Sequence, residues 1–298
     1  MTPLLHVENL TKKYVENVVE AVSFELEEHT ATALIGPNGA GKTTTLSMLA
    51  GLVSPTDGTI QFQGAAKQDI RSIIGFLPQY PKFFPWLSAL EFTEMAARLS
   101  GMETRQATIE AKKTLEFVGL AEAMNKKTGT FSGGMKQRLG LAQAIVHKPR
   151  LLILDEPVSA LDPVGRRQVM DLLKELQQKT TILYSTHILN DAEEMTDQLL
   201  FLRQGKLVEQ GSLDDVRARY AEPRIVIEFE GIQELQRFME ATKWQVSSKG
   251  LIASIDVQSE EAEMSSILAV LSAGDFLVRK VERQTASLED IFMKVAVI

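Results

Sequence analysis

With 298 residues, 44% hydrophobic and 24% charged, the chain has the make-up of a globular protein of one large or two modest domains. A net charge of −7 argues against a basic face for nucleic-acid phosphates, and the lack of cysteine excludes disulfide frameworks and thiolate metal sites. No apolar run approaches the roughly eighteen residues of a membrane-spanning helix. The opening "MTPLLHVENLTKKY" lacks the basic start and long apolar middle of a signal peptide, so the expectation is a cytoplasmic chain.

Residues 4–30 read as short strands of an antiparallel edge sheet, because Val18, Ala21, Val22, Phe24 and Leu26 mix with polar neighbours. "TALIG" (Thr32–Gly36) is a short apolar strand that ends at a glycine, and a helix is expected over Lys42–Leu49. Trp86, Leu90, Met95, Leu99, Leu115 and Val118 recur at spacings near three or four, which predicts helix within 86–122. Phe131–His147 begins as a turn and continues as a helix. "LLILD" has the continuous apolar character of a central parallel strand. Pro163–Gln178 reads as an amphipathic helix and "TTILYST" as another buried strand. Strands alternating with helices imply an α/β fold with a parallel sheet.

The composition changes near Glu222–Pro223. Beyond it the pattern predicts strand 224–229, helix 231–241, strands 244–248 and 251–257, helix 260–272, strand 276–282 and a short helix 287–296. This β-α-β-β-α-β order is the split arrangement of a ferredoxin-like domain.

"GPNGAGKT" matches G-x-x-x-x-G-K-[ST] at every fixed position, between an apolar strand and a helix. Gly36, Gly39 and Gly41 free the backbone to turn N–H groups of the loop, which also holds Pro37, Asn38 and Ala40, around a phosphate. Lys42 is a point charge for β- and γ-phosphates, Thr43 offers a hydroxyl to Mg²⁺, and Thr44 continues the helix start. Asp155 ends the second buried strand, where a P-loop nucleotidase holds Mg²⁺, and Glu156 follows as a group able to polarise an attacking water. Ser132-Gly133-Gly134 lies 90 residues past Lys42 and 23 before Asp155. Alone it would be an ordinary helix cap.

With the P-loop before it, and "LLILDEP" and "ALD" (Ala160–Asp162) after it, the chain resembles the ATPase subunit of an ABC transporter over residues 4–220. The implied fold is a P-loop NTPase core of ABC type with an antiparallel β subdomain and a helical subdomain. Residues 223–298 would form a small α+β accessory domain. The resemblance implies ATP and Mg²⁺ as cofactors and a second ATPase subunit, most simply a homodimer. Ser132–Gly134 would then contact the γ-phosphate on the partner. It also implies that Tyr14 stacks on adenine and that Gln79 senses Mg²⁺ and the attacking water. His187 would act as a switch near the γ-phosphate, and Asp162 would link the two sites. Tyr80–Phe92, rich in aromatics and proline, would receive a transmembrane permease subunit and hold the chain at the inner face of the membrane. The signature peptide reads F-S-G-G-M where L-S-G-G-Q is typical, so Met135 removes an amide. "SGGMKQR" with "SLEDIF" (Ser287–Phe292) is similar to the exporter branch. Two other readings stay open: a soluble ABC-type ATPase in translation or DNA repair, and an ATP-binding regulatory or immunity subunit.

Overall fold

The computed structural model describes residues 3–64, 70–159, 161–220, 224–256, 264–284 and 287–297. The chain divides into two compact units, Met1–Leu213 and Asp214–Ile298.

The first unit runs β1 (Leu5–Lys13), β2 (Asn17–Leu26), β3 (Ala31–Ile35), α1 (Lys42–Leu49), β4 (Asp57–Phe62), β5 (Ile74–Leu77), α2 (Ala89–Leu99), α3 (Thr104–Phe117), α4 (Gly133–Ile145), β6 (Leu151–Leu154), α5 (Pro163–Gln177), β7 (Thr181–Thr186), α6 (Leu189–Met195), β8 (Gln198–Arg203) and β9 (Lys206–Ser212). β2-β1-β4 form an antiparallel sheet. A six-stranded sheet has the order β5-β6-β7-β3-β8-β9, parallel throughout except for β9. β3, β6 and β7 are buried at every position, as strands inside a parallel sheet covered on both faces must be.

One apolar cluster joins the two sheets. Val7, Val22 and Phe24 from the antiparallel sheet meet Leu34, Ile153, Leu183 and Leu200 from the parallel one, with Leu46 and Met48 of α1 between them. Each fully buried side chain of this kind contributes about 1.5–3 kcal/mol. The packing therefore fixes α1 between the sheets. α5 starts at Asp162, whose carboxylate accepts the Gly165 N–H, with Pro163 at the first helical position. It buries Val169, Met170, Leu173 and Leu176, a single helical stripe.

The helical stretch expected over 86–122 is two helices. Ser88 and Glu91 form a capping box that starts α2, and Gly101, in a left-handed conformation, separates α2 from α3. Leu99 fits the helical spacing yet is exposed. The periodicity therefore overstated the buried face.

His147, beyond α4, donates Nε2–H to the Ile74 carbonyl at 3.1 Å, while its buried Nδ1 has no partner among the described residues. Burial holds its pKa below the ordinary 6.5, against the opposing effect of the Ile74 bond. The neutral ring is the folded form, so its contribution to stability is present above pH 6.5 and is lost as pH falls through the lowered value. His147→Gln keeps a donor for Ile74. The unfolding midpoint of this variant is expected to fall less than the parent's between pH 7 and 5. Parallel curves would contradict this reading.

The second unit opens within α7 (Leu213–Arg219), whose first residue ends the first unit. It runs β10 (Arg224–Phe229), α8 (Ile232–Ala241), β11 (Val246–Lys249), β12 (Ile252–Asp256), α9 (Met264–Ala273), β13 (Val278–Gln284) and α10 (Leu288–Val297). The sheet order is β11-β12-β10-β13 with every neighbouring pair antiparallel, the expected ferredoxin-like topology. Ile225, Ile227 and Phe229 of β10 pack with Leu235 and Phe238 of α8 and Ile267 and Leu271 of α9. The first residues of the helix expected over 260–272 lie outside the described residues.

Candidate active site

The loop between β3 and α1 lies against backbone from β2 and β8. A Cβ at Gly36 would fall 2.2 Å from the Leu202 carbonyl oxygen, and one at Gly41 would fall 2.6 Å from that of Val18. Gly41 also has φ +101° and Gly39 φ +80°. The Gly205 N–H donates to the Ala40 carbonyl at 3.0 Å and the Ala40 N–H to that of Pro37 at 3.1 Å, which closes the loop. Gly41 caps α1 without a side-chain acceptor, and no acid stands in the first turn. The positive end of the helix dipole is therefore not neutralised locally. Pro37, Asn38, Gly39 and Thr43 are exposed, Thr44 is half-buried, and Ala40 and Lys42 are buried. Lys42 Nζ donates to the carbonyls of Gly36 at 2.7 Å and Pro37 at 3.2 Å. Burial lowers its pKa from 10.5, opposed by the nearby charges of Glu156 and Asp155. The lysine and both acids thus share one electrostatic site.

Asp155 and Glu156 emerge from the carboxyl end of β6. Asp155 is buried, and its Oδ1 accepts the Ser185 hydroxyl at 2.6 Å. Glu156 has φ +47°. Its amide donates to Ser185 Oγ at 2.9 Å. Its carboxylate accepts Gln79 Nε2–H at 3.0 Å on one oxygen and faces His187 Nδ1 at 3.2 Å on the other. Three residues from distant parts of the sequence meet there. His187 remains half exposed, while the Glu156 side chain is largely covered. Thr43 and Asp155 supply a hydroxyl and a carboxylate, hard oxygen donors that suit Mg²⁺. Among the described residues no group of three or more His, Cys, Asp or Glu could hold a metal. This donor set therefore fits a cation that completes its shell with water and substrate phosphates.

Ser132-Gly133-Gly134 opens α4, where Ser132 Oγ accepts the Met135 N–H at 3.4 Å. That contact uses the Met135 backbone and needs no amide side chain. The peptide lines a cleft of about 470 Å³ with Arg138, Leu161, Asp162 and Gly165. No residue of the P-loop and neither strand-end acid lines this cleft. Asp162 is thus grouped with the signature peptide, and its carboxylate is used to cap α5. Ala160 lies outside the described residues. Tyr14, beyond β1, is 61% exposed, with Lys12 Nζ 5.0 Å from its ring centroid. In Tyr80–Phe92, Phe83 packs edge-on against Phe92 at 5.0 Å, and Phe84 lies 5.4 Å from Trp86. Tyr80 and Trp86 are exposed.

Two residues at the site carry no sequence motif. Ser185 binds both acids. Gln137, buried on α4, donates to the Pro157 carbonyl at 2.7 Å and ties the signature helix to the peptide after Glu156. The available signal was their polarity within apolar surroundings, since a buried hydroxyl or amide needs a partner.

The ABC transporter family model matches residues 19–159. The model of the C-terminal domain of ATP-binding protein DrrA1-3-like matches residues 211–296. The ABC transporter ATP-binding protein YxlF of Bacillus subtilis (strain 168) is 43% identical, over 98% of this chain and 99% of its own length. The bacitracin transport ATP-binding protein BcrA of Bacillus licheniformis is 33% identical, over 99% of this chain and 97% of its own. The linearmycin resistance ATP-binding protein LnrL of Bacillus subtilis (strain 168) is 32% identical, over 97% of each. Among solved structures, an ATP-binding subunit of an ABC transporter superposes with TM-score 0.66 at 32% identity, over 73% of this chain and 93% of that one. A dimeric post-hydrolysis structure of the ATP-binding cassette MJ0796 bound to ADP and Pi superposes with TM-score 0.63 at 27% identity, over 70% of this chain and 98% of that one. The chain belongs to the ATP-binding, ATP-hydrolysing subunits of ABC transporters.

Proposed function

We propose that two copies of the chain close face to face on two ATP molecules and drive an exporter permease. Each site takes Gly36–Thr43, Gln79, Asp155, Glu156 and His187 from one copy and Ser132–Gly134 from the other. The observation that carries this reading is the separation of parts. Lys42, the two acids, Gln79 and His187 form one constellation, while the signature peptide and Asp162 line a cleft of their own. A dimer is known for the cassette MJ0796. Thr43 and Asp155 would hold Mg²⁺, which would supply positive charge against that developing in phosphoryl transfer. Glu156 accepts a proton from the attacking water, Gln79 and His187 orient its carboxylate, and Lys42 and the loop amides hold the phosphates. Tyr14 stacks on adenine.

The permease docks at Tyr80–Phe92, where Tyr80 is exposed and exposed Trp86 stands on packed Phe84 and Phe92. This places the chain at the inner face of the membrane through its partner. Among the described residues no helix is long and apolar enough to cross a membrane. Similarity to a bacitracin transport protein and a linearmycin resistance protein favours export of an antibiotic-like cargo. The second unit acts as an accessory domain without catalytic residues.

Ser132→Arg tests the shared site. The bulky cation is expected to lower steady-state hydrolysis about a hundredfold by misplacing the second half of the site. Mg²⁺-free ATP binding by the single chain is expected to stay intact. Hydrolysis at the parent rate would overturn the proposal.

A further inference from the structure

We infer that Ser185 is a positioning residue that holds both strand-end acids in working geometry. It fixes the rotation of the Asp155 carboxylate and the backbone of Glu156. The inference rests on the roles proposed above for those acids.

Ser185 is completely buried and follows Ile182, Leu183 and Tyr184 on β7. A hydroxyl in such a run is unfavourable unless it is bonded. The parallel register pairs Leu154 with Tyr184, so the next residues on the two strands, Asp155 and Ser185, come side by side. A serine hydroxyl has one proton to donate and lone pairs to accept with. The proton goes to Asp155 Oδ1 at 2.6 Å, and a lone pair takes the Glu156 N–H at 2.9 Å. The first bond locks one carboxylate oxygen, with the added strength of a charged acceptor. The second bond acts where the backbone is least favourable, because Glu156 has φ +47°, uncommon for a residue with a Cβ. If the peptide relaxed to negative φ, its side chain would turn away from Gln79 and His187, which hold its two oxygens. His187 itself leaves β7 two residues after Ser185. One strand end therefore carries both the histidine and the hydroxyl that sets the acid it faces.

Ser185→Ala removes both bonds with little change in volume. Misplacing the acids is expected to lower kcat about a hundredfold. ATP binding in EDTA is expected to stay within about twofold of the parent, since the P-loop is untouched. Calorimetric titration of Mg²⁺ into the ATP complex is expected to show weaker cation binding. Because Ser185 acts partly through Glu156, adding Ser185→Ala to Glu156→Gln should lower the residual rate less than it lowers the parent's, the remaining loss coming from Asp155. A parent-like rate and Mg²⁺ affinity in Ser185→Ala, beside an inert Glu156→Gln, would overturn this inference alone. Loss of Mg²⁺-free ATP binding in step with the rate would also overturn it, by showing a general structural role. Parent-like hydrolysis by Glu156→Gln would instead overturn the role proposed for that residue.

Discussion

Glu156→Gln is expected to lower ATP hydrolysis by about 10²–10⁴-fold, the range supplied by a positioned general base. The substitution removes the proton acceptor and keeps most of the shape. Gln79 and His187 contact opposite oxygens of this carboxylate, at 3.0 and 3.2 Å, and an amide can accept from only one of them. The neutral side chain also removes a negative charge beside Lys42, one of the two that raise its pKa against burial. ATP affinity is therefore expected to hold or rise, and ATP-bound protein to accumulate. Single-turnover and steady-state rates, measured beside equilibrium ATP binding, check this. Hydrolysis within a few-fold of the parent would remove Glu156 from the chemistry.

Lys42→Met is expected to weaken ATP binding by one to two orders of magnitude, from the loss of charged hydrogen bonds at about 1.5–3 kcal/mol. The ATP-free protein should lose little stability. Lys42 is buried, its pKa is lowered mainly by that burial, and among the described residues it bonds only backbone carbonyls of its own loop. A buried cation with a lowered pKa costs most below that pKa, and the cost fades as pH rises toward 10.5. The parent should therefore gain some stability relative to Lys42→Met as pH rises from 8 to 10. Bound triphosphate supplies the missing counter-charge, raises the pKa again and should abolish that gain. Paired unfolding curves with and without ATP measure both effects. Unchanged ATP affinity would contradict the role of Lys42.

The parts most legible in the sequence were those dictated by local chemistry. The phosphate loop announces itself because three glycines and a lysine have few other uses at that spacing. Helix α1 covers Lys42–Leu49 as expected, and β6 and β7 stand out because strands buried on both faces must be apolar throughout. The second unit was readable because its strands and helices alternate cleanly, and β10 runs from Arg224 to Phe229 as expected. β4, β5, β8 and β9 escaped notice. β4 and β9 are half-exposed and mixed in composition, and β5 has only four residues. β4, β5 and β8 take their identity from pairing with strands distant in sequence, and β9 from its hairpin with β8. Ser185 escaped for the same reason, since its meaning lies in the register between β6 and β7 and nothing in "YSTH" points to Asp155. The shared use proposed for Asp162 and Ser132–Gly134 comes only from the family resemblance, because each looks locally like a helix cap.

The central claim is that one chain holds two unlike halves of an ATP site and that a second copy completes each. The direct measurement is the solution mass of Glu156→Gln with saturating ATP and Mg²⁺, by light scattering on a sizing column. The expected result is a particle of twice the 33.0 kDa chain mass, which returns to a single chain when ATP is withdrawn or Ser132→Arg is added. A single-chain mass under saturating ATP, with the parent protein hydrolysing ATP at a rate independent of its concentration, would contradict the claim.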